Sequence, residues 1–348
     1  MVDVEYVSSL HDVPPSDWRR LAERAGHVFA TPEWLLTWWR HYGNARRQLI
    51  GLVRSDGELV AIVPLYVWRR RGLPVLRFVG HGPSDQLGPI CAPLSDPASA
   101  AAVEAAIAAM PLRRFILLAE QIPGDQSFGE FARAHVFYRD SSPALQLTDT
   151  SWEAFLRARG RNFRQQVRRF PRKLAELGPV SYRLANDADR HQRDVDLLFE
   201  LHRKRWGGSE TPFFHARPFH GEFAQCALSR GWLRLWFLEV GGFPVAAHYG
   251  FRYAGVEAAY QGGRDPSLRN QPLGFVLLSH TIHEAVVDGM REFRLGRGGA
   301  AYKKRFATMD PGLETYGVAR GAAAWVTLMA ALAARGRALG LRRVLDRT

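Results

Sequence analysis

Polar residues at the start of one predicted helix are the first place where this sequence offers an anion site. The helix begins near Pro272 and carries Gly274 in its first turn. Three polar residues precede it: Arg269, Asn270 and Gln271. Free N–H groups and the dipole at a helix N-terminus bind phosphate, and a glycine lets a ligand approach the backbone. The three polar residues and Gly274 are therefore candidates for cofactor binding, although an ordinary loop-to-helix junction has the same pattern.

A second candidate anion site follows the last predicted strand of the second half. Three glycines within residues 296–299 make a flexible turn at the carboxyl end of that strand, a usual place for ligands in α/β sheets. Fixed cations at such a turn suit phosphate or carboxylate groups. The candidates are Arg297 and Lys303 for the cofactor, Arg305 for the substrate and Tyr302 for catalysis. A solvated run of charges is the alternative interpretation.

Two side chains are candidates for taking a proton from an acceptor amine. Asp85 lies in a Gly- and Pro-rich stretch, where a displayed carboxylate can orient or deprotonate an amine. An Asx-turn is the alternative role of this residue. His248 lies in a predicted strand beside Tyr249 and is the best-placed imidazole of the chain. A hydrogen-bonded core histidine is the alternative there.

Aromatic and basic side chains near residue 205 are candidates for the acceptor site. Arg205 and Trp206 end a predicted helix, and further aromatic residues follow within 213–219. Such side chains can line a sugar- or acyl-binding cleft, and Tyr260 and Gln261 complete this predicted substrate site. The alternative is that most of these aromatic residues belong to the core.

Motifs that signal other chemistries are missing from the sequence. The histidines show no HxxxH or HExxH spacing, so we predict no metal. No GxSxG, Walker A or strand-linked GxGxxG motif occurs. Cys91 and Cys226 form neither a disulfide framework nor a zinc site and fit a reducing compartment. Since no secretory signal and no 18-residue apolar run is present, we expect a cytoplasmic protein.

The positive charge of the chain is concentrated in two segments. The 348 residues have a formal net charge of +13 and are 47% hydrophobic. Eight basic residues and no acidic residue lie between Glu153 and Glu176, and a net charge of +5 lies within 319–348. The rest of the chain is neutral, which argues against a nucleic-acid coat protein.

The first 150 residues alternate between helical and strand patterns. The Asp56-Gly57 step between two apolar runs is a strong hairpin signal. Residues 81–93 predict an irregular loop, and the turn-rich residues 124–143 predict a domain junction. The predicted elements are strands at 4–8, 48–54, 58–68, 74–80 and 113–120 and helices at 16–25, 32–42 and 98–110.

The second half begins with helices and continues as an antiparallel meander. Apolar residues from Phe163 to Leu177, three and four apart, predict a helical core stripe, with arginines on another face. Pro171 predicts a kink or break in that helix. Gly241 and Gly242 predict a two-residue hairpin turn. The other predicted elements are helices at 152–159, 194–206, 218–230, 272–288 and 321–345 and strands at 232–240, 244–252, 256–261 and 291–295.

Residues 161–306 resemble the GNAT-type acyltransferase domain of CelD-like proteins of bacterial polysaccharide clusters, which are related to the Fem peptidyltransferases. The resemblance rests on RNFRQQVRRFPRKLAELG, LHRKRWGG, the Gly-Gly meander and QPLGFVLLSHTIHEAVVDGMREFRLGRGGAAYKKRFA, which ends in a Tyr-Lys-x-Arg pattern. FATPEWLLTWWRHYG, VPLY and GPSDQLGP resemble the first lobe of such proteins. The ordered set, rather than any single motif, carries the resemblance, and it covers all but about the last 30 residues.

The resemblance implies an α/β (α+β) fold of tandem GNAT-like lobes, each a mixed, mostly antiparallel sheet flanked by helices. The expected domains are an N-terminal lobe at 1–150, an acyltransferase lobe at 151–318 and a basic amphipathic helix at 319–348. The donor pyrophosphate would bind at residues 269–274. This stretch departs from the usual GNAT phosphate loop because Pro272 replaces an amide donor and only Gly274 remains of the glycines.

The function implied by the resemblance is acyl transfer from acetyl-CoA or another acyl-CoA to an amine of an amino sugar, sugar nucleotide or polysaccharide precursor. The amine, deprotonated by Asp85, His248 or water, attacks the donor directly, without a covalent enzyme intermediate. One alternative is a Fem-type transferase using aminoacyl-tRNA, with the basic face of residues 157–173 on RNA phosphates. Another is a non-catalytic binding module of the same fold.

The terminal helix is expected to contact a partner. Apolar residues such as Trp325 and Leu328, with arginines beside them, suit anionic lipid or a synthase partner, which would place the protein at the inner face of the membrane. Packing on the protein body is the alternative. The sequence predicts no oligomeric state.

Overall fold

Strands and helices alternate along most of the chain. The computed structural model describes residues 2–70, 72–132, 134–147, 151–207 and 211–331. The strands are β1 (Val2–Val7), β2 (Arg47–Ser55), β3 (Glu58–Arg70), β4 (Leu73–Phe78), β5 (Ile90–Cys91), β6 (Phe115–Pro123), β7 (His135–Asp140), β8 (Ala144–Gln146), β9 (Val180–Leu184), β10 (Leu233–Val240), β11 (Phe243–Tyr253), β12 (Val256–Arg264), β13 (Glu292–Arg294) and β14 (Leu313–Arg320). The helices are α1 (Pro15–Ala25), α2 (Pro32–Tyr42), α3 (Pro97–Ala109), α4 (Phe128–Phe131), α5 (Trp152–Arg157), α6 (Arg161–Ala175), α7 (His191–Arg205), α8 (Pro212–His215), α9 (Arg217–Ser229), α10 (Leu273–Val287), α11 (Ala301–Lys304) and α12 (322–331). Two sheets flanked by helices result, so the predicted mixed α/β fold class is confirmed.

The first of two compact units comprises the described parts of residues 1–25, 29–140 and 312–348. Its strands follow the order β1-β2-β3-β4-β6-β14-β7, and β5 pairs with β3. The predicted hairpin is β2–β3, whose turn residues Asp56 and Gly57 both have positive φ, 50° and 86°. That backbone matches the twist of the flanking strands.

The second unit comprises residues 26–28 and the described parts of 141–311. Its strands follow the order β8-β13-β12-β11-β10-β9. The predicted meander is β10–β11–β12, with Gly241 and Gly242 at its first turn, both with positive φ. The next strand in the sheet, β13, returns parallel to β12 after the crossover through α10.

The basic helix α6 runs through Pro171 as one helix to Ala175, so of the predicted kink or break the break is wrong, and the kink stays a prediction. Proline removes one backbone hydrogen bond and costs about 3 kcal/mol in a helix interior. Packing on both sides of Pro171 offsets this cost, because Phe170 packs against two core clusters and Leu174 is fully buried.

The units divide the chain between residues 140 and 141 and between 311 and 312, whereas the sequence places boundaries after 150 and 318. Two strands that the sequence analysis did not predict account for the difference. β8 pairs with β13 in the second sheet. β14 returns to the first sheet, where it pairs with β6 and β7. The division into independently folding domains at 150 and 318 stays a prediction.

The described part of the predicted terminal helix is α12, which packs on the first unit. Its Ala324 and Leu328 are buried against Ile116, whereas Val326 is exposed. Residues from 332 onward, where the sequence continues the helix, lie outside the described residues. None of the helices in the described ranges has both the length and the apolar character needed to cross a bilayer.

Gly263 of β12 lies where the backbone of α7 crosses the sheet. A Cβ atom at this position would lie 2.3 Å from the Leu201 carbonyl carbon and the His202 amide nitrogen. Because both neighbours are backbone atoms, Gly263→Ala is expected to lower the free energy of unfolding by at least about 2 kcal/mol. Urea unfolding of the full chain measures the change.

Gly274→Ala is the matched control, since a Cβ atom at Gly274 would meet nothing within 4 Å. Its free energy of unfolding should stay within about 0.5 kcal/mol of the wild type. Equal unfolding midpoints for the two variants would contradict the close packing of α7 on β12.

Candidate active site

The pairing between the parallel strands β12 and β13 ends after the third of the nine residues of β12. β13 has only three residues, and its pairing with β12 covers Val256–Ala258 alone. On its other side, β12 pairs with β11 as far as Arg264. From Ala259 onward the β13-facing edge of β12 therefore has no strand partner within the described residues. A half-open strand edge presents backbone N–H and C=O groups to a ligand.

A β-bulge lies at the point of separation. Tyr249 lies opposite Gln261 and Gly250 opposite Ala259, so Tyr260 is the extra residue of β12. A Cβ atom on Gly250 would lie 2.3 Å from a carbonyl oxygen of β12, so the bulge needs glycine here. Bulges bend a strand and redirect its side chains. The sequence-predicted residues Tyr260 and Gln261 therefore lie at the opening between β12 and β13.

The strand β12 leads to the N-terminus of α10, which no side chain caps. Pro272, the predicted first residue of the helix, is the N-cap residue one position before the observed start at Leu273, and it makes no side-chain cap. The first helical hydrogen bond runs from Val276 N to Pro272 O (3.0 Å), so the N–H groups of Leu273 to Phe275 precede it. Gly274 is exposed. Free N–H groups of this kind can bind an anion, and anion binding at residues 269–274 stays a prediction.

Of the three polar residues before α10, two are exposed and one is half-buried. Arg269 and Asn270 are exposed, and Gln271 is half-buried. The Gln271 Oε1 atom is buried and has no hydrogen-bond partner within the described residues. The loop is held by Asp265, whose carboxylate accepts from Ser267 N (2.8 Å). Hydrogen bonds from the side chain and the backbone of Ser267 lower the pKa of Asp265.

Residues 296–305, here called the basic loop, include two cations whose side chains lie in different surroundings. The guanidinium of Arg305 lies 4.6 Å from the centre of the Phe275 ring, next to the first turn of α10. The ammonium of Lys303 is buried and donates to the carbonyl oxygens of Gly296 (3.0 Å) and Arg297 (2.5 Å). Arg305 therefore lies beside a side chain of the first turn of α10, and Lys303 holds the loop itself.

Arg205 and Trp206 lie at the exposed end of α7, beside β12. Arg205 donates to Gly262 O (3.4 Å), and its guanidinium lies 4.8 Å from the Trp206 ring centre. Trp206 is 54% exposed. The pKa of Tyr302 is raised by burial, opposed by the positive charge of Arg205. Arg205, Trp206, Tyr302 and the end of β12 thus meet on one side of the second unit.

His248 lies on β11, opposite Gly262 of β12. The side chain is buried, with its ring 6.3 Å from the Phe293 ring of β13. The Nε2 atom has no hydrogen-bond partner within the described residues. Burial lowers the pKa of His248 to about 4, so the imidazole is neutral at pH 7. A neutral imidazole with a vacant nitrogen can accept a proton.

Three buried polar side chains near β12 were missed by the sequence analysis. His202 hydrogen-bonds to Gly262 O (3.2 Å), and His220 lies 3.4 Å from the Tyr260 hydroxyl. The Tyr249 hydroxyl is fully buried without a partner in the described part of the chain, and burial raises its pKa. The one available signal was the placement of both histidines on the apolar faces of predicted helices. Most nearby aromatic residues, such as Phe213, are core residues.

Asp85 lies in the first unit, whereas the other predicted site residues lie in the second. Its side chain is half-buried in the irregular loop that the sequence predicts. The neighbouring Ser84 is fully buried, donates to Gly80 O (2.8 Å) and accepts from Trp34 Nε1 (2.8 Å). Within the second unit, His248 is therefore the predicted proton acceptor that lies near the opening of β12.

Comparisons with known proteins agree with this geometry. Residues 161–304 match the family model for an acetyltransferase (GNAT) domain. This range includes α6, the meander, α10 and most of the basic loop. A comparison with curated proteins finds no match.

Solved structures similar to the chain share its fold at low sequence identity. The crystal structure of FemX is 10% identical, with 90% of this chain and 97% of FemX covered and a TM-score of 0.56. A conserved protein of unknown function from Bacteroides thetaiotaomicron is 12% identical, with coverage of 92% and 100% and a TM-score of 0.55. L-PGS from Bacillus licheniformis is 14% identical, with coverage of 88% and 97% and a TM-score of 0.51. The separated strands and the uncapped start of α10 lie within residues 161–304, the part of the chain that matches the acetyltransferase (GNAT) domain model.

Proposed function

We propose that the protein transfers an acyl group from an acyl-CoA thioester to an amine of an amino sugar, sugar nucleotide or polysaccharide precursor. The observation that carries this proposal is the separation of β12 from β13 directly before the uncapped start of α10. The match of residues 161–304 to an acetyltransferase domain supports the reaction class.

The donor is proposed to bind along β12 and α10. Its phosphates suit the free N–H groups of the first turn of α10, with the Arg305 guanidinium beside them. Its amide-containing arm suits the edge of β12 beyond Ala258, where β13 no longer pairs and backbone groups can form a β-like ladder with it. The thioester would then lie near the bulge at Tyr260.

The chemical step is proposed as direct attack. The lone pair of the acceptor nitrogen forms a bond to the thioester carbon, the C–S bond breaks, and the electron pair leaves on the sulfur of CoA. The nitrogen loses one proton, and the thiolate gains one. His248 is the proposed acceptor of the amine proton, because its imidazole is neutral and its Nε2 atom has no partner within the described residues.

The acceptor is proposed to bind beside Trp206. The exposed indole offers a flat apolar surface for a sugar ring, and Arg205 and Tyr302 add polar groups at its edge. The role of Asp85 as a base stays a prediction from the sequence, since this residue belongs to the first unit.

Aminoacyl-tRNA is the second candidate donor, supported by one observation. Exposed cations lie along α6, among them Arg161, Arg168, Arg172 and Lys173, and none of these four forms an ion pair with a described residue. Such a face suits RNA phosphates. The fold similarity to FemX is compatible with this candidate and does not by itself favour it.

The donor site is tested with Gly274→Val and Arg305→Met. The valine side chain would occupy the space above the first turn of α10, and the methionine removes the guanidinium beside the Phe275 ring. Each change should weaken acetyl-CoA binding by about 10-fold or more, the effect of losing a charge-assisted hydrogen bond. Calorimetric titration of the full chain measures the affinity. Arg113→Met, an exposed arginine of the first unit, is the control, and equal affinities for all three variants would reject the site.

The burial of His248 predicts a pH dependence of stability. Its pKa is about 4 in the folded chain and about 6.5 in the unfolded chain, so the unfolded state binds the extra proton between these values. The stability from this group is therefore complete above pH 6.5 and is lost as the pH falls towards 4, by about 3 kcal/mol in total. Urea unfolding at several pH values should show a shallower dependence for His248→Gln. If the free energy of unfolding depends on pH in the same way for the wild type and His248→Gln, the buried, neutral state of His248 is contradicted.

The tRNA alternative predicts a salt-dependent interaction through α6. If aminoacyl-tRNA is the donor, tRNA affinity should fall steeply with salt, and Arg168→Gln/Arg172→Gln should reduce the log–log slope by about 2. The control is Arg113→Gln/Arg114→Gln, which removes two exposed arginines of the first unit. Filter binding across a salt series measures the slopes. Equal slopes of log affinity against log salt concentration for both double variants would contradict a tRNA interface on α6.

A further inference from the structure

We propose that His280, His283 and Glu284 of α10 form a binding site for a divalent transition-metal cation of the zinc class. Each residue offers one ligand atom, and these atoms all lie within 4.8 Å of one another. The residues occupy positions i, i+3 and i+4, which share one face of a helix. This spacing differs from the HxxxH and HExxH patterns, so a motif search does not detect it.

The distances within the cluster suit coordination of one ion. His283 Nδ1 and Glu284 Oε1 are 2.9 Å apart. Two ligands at about 2.0–2.2 Å from a tetrahedral ion lie somewhat farther apart than this, so small side-chain rotations open the gap. An ion would take the place of the hydrogen bond between these two atoms, with the imidazole proton of His283 on Nε2.

His280 supplies the second observation. Its Nε2 atom is buried and has no hydrogen-bond partner within the described residues. A buried polar atom without a partner is unfavourable, and a metal ion at this position would satisfy it. The third ligand thus comes from a group that the protein itself leaves unsatisfied.

Aromatic side chains hold the two imidazole rings in place. Tyr182 stacks on the His280 ring at 3.9 Å, and the Trp236 ring meets its face at 4.8 Å. Trp152 contacts the His283 ring edge-on at 5.1 Å. Such an apolar shell restricts ligand rotation and tunes a metal site. His283 and Glu284 remain 37% and 30% exposed, so an ion has access from solvent.

The ligand set selects the kind of cation. Two imidazoles and one carboxylate suit Zn²⁺, Co²⁺, Ni²⁺ or Cu²⁺, whereas Mg²⁺ and Ca²⁺ prefer oxygen ligands. Three protein ligands also leave a position for water. The site lies about 10 Å along α10 from the proposed donor site, given a rise of about 1.5 Å per residue. It therefore does not depend on the proposed acyl transfer.

Titration of the full, chelator-treated chain with ZnCl₂ tests the proposal. One ion should bind per chain, the midpoint of thermal unfolding should rise with ZnCl₂, and MgCl₂ should leave the midpoint unchanged. His283→Ala and Glu284→Gln each remove a ligand at a partly exposed position. Each should raise the Kd for Zn²⁺ by more than the roughly 10-fold that loss of an outer-shell partner causes.

Two control variants exclude other zinc ligands. His11→Ala removes an exposed histidine of the first unit, and Cys226→Ser removes the less buried of the two thiols. Both should bind Zn²⁺ like the wild type. The visible spectrum of bound Co²⁺ should change with His283→Ala and not with His11→Ala. Absence of saturable binding, binding lost with Cys226→Ser, or equal affinities for His283→Ala and the wild type would overturn the site.

Discussion

The burial of α10 is the constraint on which the second unit depends. Ten of its fifteen residues are buried, so the helix needs cover on nearly all sides. Phe275 and Ile282 belong to a cluster with β13 and α6, and Leu273 and Leu277 to another with β10 and β11. Each fully buried side chain of this size contributes about 1.5–3 kcal/mol. The position of the α10 N-terminus at the end of β12 follows from this packing.

The packing of α6 on α10 also explains why the solvent-facing surface of α6 is basic. Helix α6 packs its aromatic stripe, including Phe163 and Phe170, against Phe275. Since that stripe faces inward, the arginines on the opposite side of α6 face solvent without acidic partners within the described residues. The positive charge is thus a consequence of which face the core uses. Whether it serves an additional function is a separate question from the fold.

Local sequence patterns such as helix caps predict individual helices in this chain. The order of the strands in each sheet depends on pairing between residues that are far apart in the sequence. The bounds of α2 agree with the prediction, because Thr31 caps it, accepting from Trp34 N (3.3 Å), and Pro32 begins it. The strands β8 and β14 have no local sequence signal comparable to a helix cap. Each is defined by strand partners far away in the sequence. The same applies to the site. The α10 start could be predicted from Pro272 and Gly274, but the separation of β12 and β13 depends on where pairing stops.

Lys303 and Arg305 of the basic loop carry the same charge. Their roles differ because one is buried among carbonyl oxygens and the other lies on an aromatic ring. A buried ammonium needs acceptors, and Lys303 finds them in the carbonyl oxygens of Gly296 and Arg297. Its charge is therefore committed to shaping the loop. Arg305 keeps its guanidinium on an aromatic face, where the planar group is stabilised without losing all of its hydrogen-bond donors. In the proposed donor site, the backbone N–H groups of α10 therefore carry most of the anion recognition, with the guanidinium groups of Arg269 and Arg305 nearby.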